Sequence, residues 1–160
     1  MQLTKLNTKY TTLTSISSIS KEIDCELCGI FIPNYNVIIV SLYRSPKGDF
    51  KIFVDILTKL MEIIDYRKKQ IIIDGDCNIY FNTSETNKVQ ICDFFKTYGM
   101  YKLVQFPTRN LAHLDNVFTN IKHGLIFAKP FDNSIGDHNQ EILLNVKINV
   151  SKPCNKLRIF

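Results

Sequence analysis

The run QIIIDGDCN, residues 70–78, constrains this chain more than any other. Three consecutive isoleucines bounded by polar residues read as a strand buried on both faces, which requires packed layers above and below it. The strand then ends in Asp74, Gly75, Asp76, Cys77 and Asn78. Burying two carboxylates and an amide unpaired would cost several kcal/mol, so the tip must hand them to a turn or to a site that uses them. A turn accounts for one such residue, because Asp and Asn favour turns. A metal- or phosphate-handling site accounts for the cluster.

The segments on either side supply the layers. ELCGIFI and NVIIVSLY are β-branched runs separated by Pro33-Asn34-Tyr35-Asn36 and read as an antiparallel hairpin. Over 50–66 the period changes. Phe50, Phe53, Leu57, Leu60, Met61 and Ile64 follow helical spacing, with Asp49 as the N-cap. Arg67-Lys68-Lys69 then matches the negative end of that helix's dipole, with contact to phosphate as the alternative. A second helix is expected over 87–98, burying Val89, Cys92, Phe95 and Tyr98 and stopping at Gly99. YKLVQF, LDNVFTN, LIFA and EILLNVKI read as short strands. Before all of this, TTLTSISSIS reads as loop or irregular strand. The expected division is an irregular segment 1–22, a domain over 23–150 and a basic tail over 151–160.

At 160 residues the chain is long enough for one domain with a real core, and 45% hydrophobic and 22% charged residues argue against general disorder. The apolar runs are too short to cross a bilayer, and MQLTKLNTKY lacks the apolar segment of a signal peptide. The expectation is an intracellular protein without membrane contact, and no obligate protein partner is evident. The net charge of +5 is uneven: ten Lys/Arg against nine Asp/Glu over 1–80, ten against six over 81–160. A basic second half suits a polyanionic partner. Of five cysteines, Cys25 and Cys28 form a C-x-x-C, but residues three apart on a strand face opposite ways, so core cysteines are expected rather than a zinc site.

Four polar clusters fall at strand ends: Tyr43-Arg44-Ser45-Pro46, Gly75-Asp76-Cys77-Asn78, Leu114-Asp115-Asn116 after Pro107-Thr108-Arg109, and Gly136-Asp137-His138-Asn139. Strand ends on one edge supply a shared cleft. The residue types suit phosphodiester hydrolysis. Oxygen ligands hold magnesium through one or two carboxylates, with water and substrate phosphate completing the shell. A histidine can bind or protonate a phosphoryl oxygen, and a carboxylate can orient it. Each piece also has a plain structural reading: GDCN as a turn, the Asp-His pair as a loop bridge, Tyr43 as half-buried core, Asp115 as an outward strand residue.

The order YRSP, helix, IIIDGDCNIYF, helix, FPTR, LDNVFTN, GDHN resembles the endonuclease/exonuclease/phosphatase superfamily, most closely the endonuclease domain of non-LTR retrotransposons, from about Ile23 to Ile148. The resemblance implies an α/β fold, a two-sheet β-sandwich flanked by helices in four layers (α/β/β/α). It also implies a magnesium-dependent DNA endonuclease, with manganese as the substitute metal, acting in the nucleus. Asp76 would hold the attacking water with Asn78, Tyr43 would contact the scissile phosphate, and Asp115 would orient His138, which stabilises the phosphate oxyanion. Asp137 would support the metal or that histidine. Arg44, Thr108 and Arg109 would contact the phosphate backbone. Two further readings are a noncatalytic nucleic-acid-binding remnant and a phosphatase of the same superfamily.

The departures from the family pattern are also expectations. The family's Asn on its first strand and metal-binding Glu on the next lie well upstream of YRSP, whereas 42 residues precede Tyr43 here. The resemblance therefore implies a truncated domain whose first strands are missing, with activity impaired or lost and the isolated chain poorly soluble. Glu22 and Glu26 lie outside the motif context. Cys77 stands where an aromatic is usual, Gly136 replaces a Ser, and the stretch between PTR and LD is short.

Overall fold

The computed structural model describes residues 8–132 and 140–147. Its centre is the isoleucine run, now strand β4 (Gln70–Asp76), with Ile71, Ile72 and Ile73 all buried. Strand β4 lies parallel to β3 (Val37–Tyr43) and antiparallel to β6 (Asp115–Thr119). On the far side of β3, β2 (Glu26–Ile32) completes the hairpin through a 3-10 turn at Pro33–Tyr35 that ends on left-handed Asn36. Short edge strands β1 (Thr11–Thr12) and β5 (Tyr101–Lys102) close a six-stranded sheet of order β1-β2-β3-β4-β6-β5. A separate two-stranded sheet pairs β7 (Ile126–Asp132) with β8 (Gln140–Val146).

Alternation along the strands assigns the two faces of the large sheet. Ile38, Val40, Leu42, Ile71 and Ile73 face helix α2 (Phe50–Ile63) and helix α3 (Thr86–Thr97) in one core. Asp49 caps α2, its carboxylate accepting from the Ile52 amide at 3.0 Å. The residues alternating with these, Val37, Ile39, Ile72 and Val117, meet Ile126, Ala128, Ile142 and Leu144 of the β7–β8 ribbon in a second, smaller core. Among the described residues the layers are therefore helices, large sheet and small sheet. This is the α/β two-sheet architecture expected, with the described helices against the large sheet only.

Local details differ from the sequence expectations in instructive ways. The Ser/Thr run folds as β1 and a single helical turn, α1 (Thr14–Ser17), whose Ile16 is fully buried beneath Gly29. Helix α3 buries Phe95 as expected, stacked on Phe118 of β6 at 4.1 Å, but buries Ile91 with it and leaves Val89 half exposed. YKLVQF is strand only at Tyr101–Lys102. Cys25 is buried and Cys28 exposed, as opposite faces require, and burial pushes the Cys25 thiol up to about 12. No helix among the described residues is long and apolar enough to cross a membrane.

Candidate active site

The carboxyl ends of β3 and β4 meet the start of β6 in one row. Tyr43 is the register partner of Asp76, and Asp76 is the partner of Asp115. By strand alternation these side chains share the face that the β7–β8 ribbon covers lower down, where the same alternation carries Ile39, Ile72 and Val117. Towards the tips the face turns polar. Ser41 and Asp74 form the next row, the Ser41 hydroxyl donating to Asp74 Oδ1 at 2.9 Å. The same register extends outward, since Glu26 on β2 lies opposite Tyr43. Four adjacent strands thus place Glu26, Tyr43, Asp76 and Asp115 side by side.

Two devices hold this row in place. Gly75 adopts a φ of +144°, and a Cβ there would sit 1.8 Å from the Leu42 carbonyl oxygen. No other residue lets β4 pass so close to β3 at this point. After Asp76 the chain turns through Asn78, itself left-handed at φ 46°. The Asn78 amide donates to Asp76 Oδ1 at 2.7 Å, and its side-chain Nδ2 donates to the Arg44 carbonyl at 2.7 Å. Asp76 and Asn78 are therefore fixed relative to each other and to the residue after Tyr43.

Two residues expected to touch phosphate prove to be internal braces. Arg44 is 6% exposed; its guanidinium donates to the carbonyls of Cys77 and Gly48 and stands over the Phe50 and Phe53 rings. A cation committed inward cannot also grip a backbone phosphate, so Arg44 ties the YRSP loop to the GDCN loop. Thr108 is 1% exposed, and its hydroxyl oxygen accepts from the amides of Leu114 and Asp115 at 3.3 and 3.1 Å. It positions Asp115 from beneath. Arg109 is partly exposed and pairs by backbone with Ala112. Tyr43 is 43% exposed, which suits a ring that meets a ligand. Asp137 and His138 lie outside the described residues.

Burial sets the electrostatics. It raises the Asp74 carboxyl above the usual range, against the opposing pull of the Ser41 hydrogen bond. The buried Cys77 thiol is pushed well up, chiefly by desolvation and then by Asp76, so it stays protonated and inert. Among the described residues no three Asp, Glu, His or Cys side chains converge to form a metal cage. Asp76 and Asp115, register partners at the tips of β4 and β6, are the described residues that could hold a cation needing one or two carboxylates, with water and substrate completing its shell.

Sequence reasoning left Glu26 without a context. The signal was there: a hairpin closing at Pro33–Asn36 with Ile32 opposite Val37 carries Glu26 to Tyr43 by counting alone.

No protein-family model matches the sequence, and no curated protein does. The fold does match solved structures. The endonuclease domain of TRAS1, a telomere-specific non-LTR retrotransposon, aligns with a TM-score of 0.73 at 14% identity, over 91% of this chain and 70% of that one. A mannosyl-6-phosphatase of Bacteroides thetaiotaomicron gives 0.49 at 12% identity, over 76% of this chain and 56% of that chain. An endonuclease/exonuclease/phosphatase family protein of the same bacterium gives 0.43 at 11% identity, over 77% and 51%. The fold implied by the motif order is thus the fold observed.

Proposed function

We propose that this chain, which carries the fold of a retrotransposon endonuclease domain, hydrolyses phosphodiester bonds of DNA at the row formed by Tyr43, Asp76 and Asp115. The observation that carries this reading is the placement of those three residues on adjacent strands, with Asn78 locked beside Asp76. Asp76, its carboxylate oriented by the Asn78 amide, holds the attacking water, and Asn78 positions the phosphate. Such fixed polar groups lower a barrier because they need no reorganisation during reaction. The exposed Tyr43 hydroxyl donates to the scissile phosphate. Asp115, set by Thr108, orients His138, which protonates or stabilises the phosphoryl oxygen, with Asp137 as its support.

Magnesium, or manganese in its place, would be held by Asp76 and Asp115 and would offset negative charge on the phosphate and leaving oxygen. Glu26 is the additional carboxylate within the same row.

The test is nicking of supercoiled plasmid with magnesium or EDTA. Magnesium-dependent nicking should fall at least about a hundredfold in Asp76→Asn and in His138→Ala, the scale of lost acid–base chemistry. Glu26→Gln should raise the magnesium needed for half-maximal nicking. Folded protein that binds DNA with a steep salt dependence but never nicks it would replace this reading with noncatalytic binding. Release of phosphate from phosphomonoesters without plasmid nicking would assign the chain to phosphatases.

A further inference from the structure

We propose that the turn joining α2 to β4 is a second nucleic-acid contact, a cationic groove that holds backbone phosphates at the end of the sheet opposite Asp76. It does not rest on the hydrolytic reading. Arg67, Lys68 and Lys69 are not there to serve the dipole of α2. The helix ends at Ile63 and its last turn contains no basic residue. The three cations sit beyond it, on a turn where the Lys68 and Lys69 amides both donate to the Asp65 carbonyl at 3.1 Å.

That turn is held from two sides by side-chain amides. Asn120, just after β6, donates through Nδ2 to the carbonyls of Tyr66 and Lys69, both at 2.9 Å, while its Oδ1 accepts from the Ile71 amide at 2.7 Å. Asn36, at the tip of the β2–β3 hairpin, donates to the Lys68 carbonyl at 2.9 Å. Three consecutive cations are thus mounted on a backbone with little freedom. Two of them are further steadied by rings, Arg67 over Tyr66 and Lys69 over Phe31 at 4.0 Å. Pre-ordering of this kind lowers the entropic cost of holding a ligand.

A groove of about 450 Å³ opens beside the turn, lined by Asn36, Arg67, Lys68, Lys69, Asn120 and Lys122 among others. Against these stand Asp65, in an exposed pair with Lys68, and Glu62. Arg67 also borders the neighbouring groove beside Tyr98. Four cations lining one groove, Arg67, Lys68, Lys69 and Lys122, fit a chain of phosphates better than a single anion. From Gln70 to Asp76 the strand spans roughly 20 Å, so this contact lies well apart from the candidate active site.

The experiment is fluorescence anisotropy of a labelled duplex with the full chain in EDTA, where no cleavage is needed and failure of the hydrolytic reading changes nothing. The variant Arg67→Gln/Lys68→Gln/Lys122→Gln removes exposed charges and leaves Lys69 on its ring. A control, Lys51→Gln/Lys59→Gln/Lys96→Gln, removes equal charge from the helices. Melting curves verify that all three proteins are folded. The groove variant should bind about tenfold or more weakly at about 50 mM salt and lose two to three from the slope of log K against log salt, at about 0.9 per phosphate released. The control should change by less than about threefold. Equal losses in both variants, no loss in the groove variant, or wild-type binding to phosphatidylserine vesicles and not to duplex would each overturn the proposal.

Discussion

The two faces of the central sheet are built to different standards. The face towards α2 and α3 buries a continuous set from Ile16 through Phe53, Leu57 and Ile73 to Phe95 and Phe118. Among the described residues the opposite face meets a two-stranded ribbon, and its fully buried set is small: Val37, Ile72, Val104, Val117, Ile121 and Ile126. The ribbon's own outer side leaves Phe127, Phe131 and Leu143 partly exposed. What this teaches is a division of labour. The helix face holds the strands in register, and the lightly covered face is where Ser41, Tyr43, Asp74, Asp76 and Asp115 can be polar without breaking a core. A site can form there because stability is supplied on the other side.

The sharpest way to break that division is at the joint between β3 and β4. Gly75→Ala should prevent the two strands from pairing, since the added methyl would overlap the Leu42 carbonyl. Loss of a cooperative melt by circular dichroism is the expected result. An alanine variant with a near-native melting temperature would refute the close approach. Next in size is a pair of truncations, one on each face. Phe95→Ala should cost about 3–5 kcal/mol by denaturant titration, and Ile142→Ala about 1 kcal/mol, because Ile142 is only partly buried to begin with. Similar costs would mean that the faces share the stability evenly.

Asn120→Ala should cost about 2–3 kcal/mol, for it strands the Ile71 amide and two carbonyls together. A change within experimental error would show that water replaces those bonds.

The smallest effect distinguishes the polar rows. Asp74 is half buried with its carboxyl raised above the ordinary 3.8. A raised acid favours the folded state while it is protonated. Its contribution is complete below the unfolded value and is lost as pH climbs through the folded one. Asp74→Asn keeps an acceptor for Ser41 and has no charge to bury. Its stability relative to wild type should therefore grow as pH rises from about 3.8, reaching a plateau by neutrality. Melting curves that stay parallel across that range would place Asp74 in water-like surroundings.

Much of this was legible in the sequence, and the failures have a common cause. The isoleucine run, the hairpin at Pro33–Asn36, the Asp49 cap and the row of tip residues all rest on local patterns, which the fold preserves. Helix α3 carries apolar residues on two stripes; Phe95 goes inside as its spacing suggests, stacked on Phe118, but the core it joins takes Ile91 with it and leaves Val89 outside. Arg44 and Thr108 look like ligand-binding residues because they are polar and sit in motifs. Their burial depends on the rings of Phe50 and Phe53 and on the Asp115 amide, partners that sequence spacing does not identify. Pro130 in β7 is tolerated because among the described residues β7 pairs with β8 alone, so a missing N–H can face away from the ladder. What hides these braces is loop geometry, which folds near neighbours such as Gly48 onto Arg44 and Asp115 onto Thr108 without leaving a periodic pattern in the sequence.

Strand β4 has one more consequence. It is seven residues long, begins at the basic turn, ends at Asp76, and has neighbours hydrogen-bonded along both edges. An extended strand in that position can neither stretch nor coil, so it acts as a ruler. Whatever rests at one end and whatever happens at the other are separated by a length that the backbone sets, roughly 20 Å, or about six base-pair steps of duplex. Loops can change what the two ends prefer, but only an insertion or deletion within the sheet can change the distance between them.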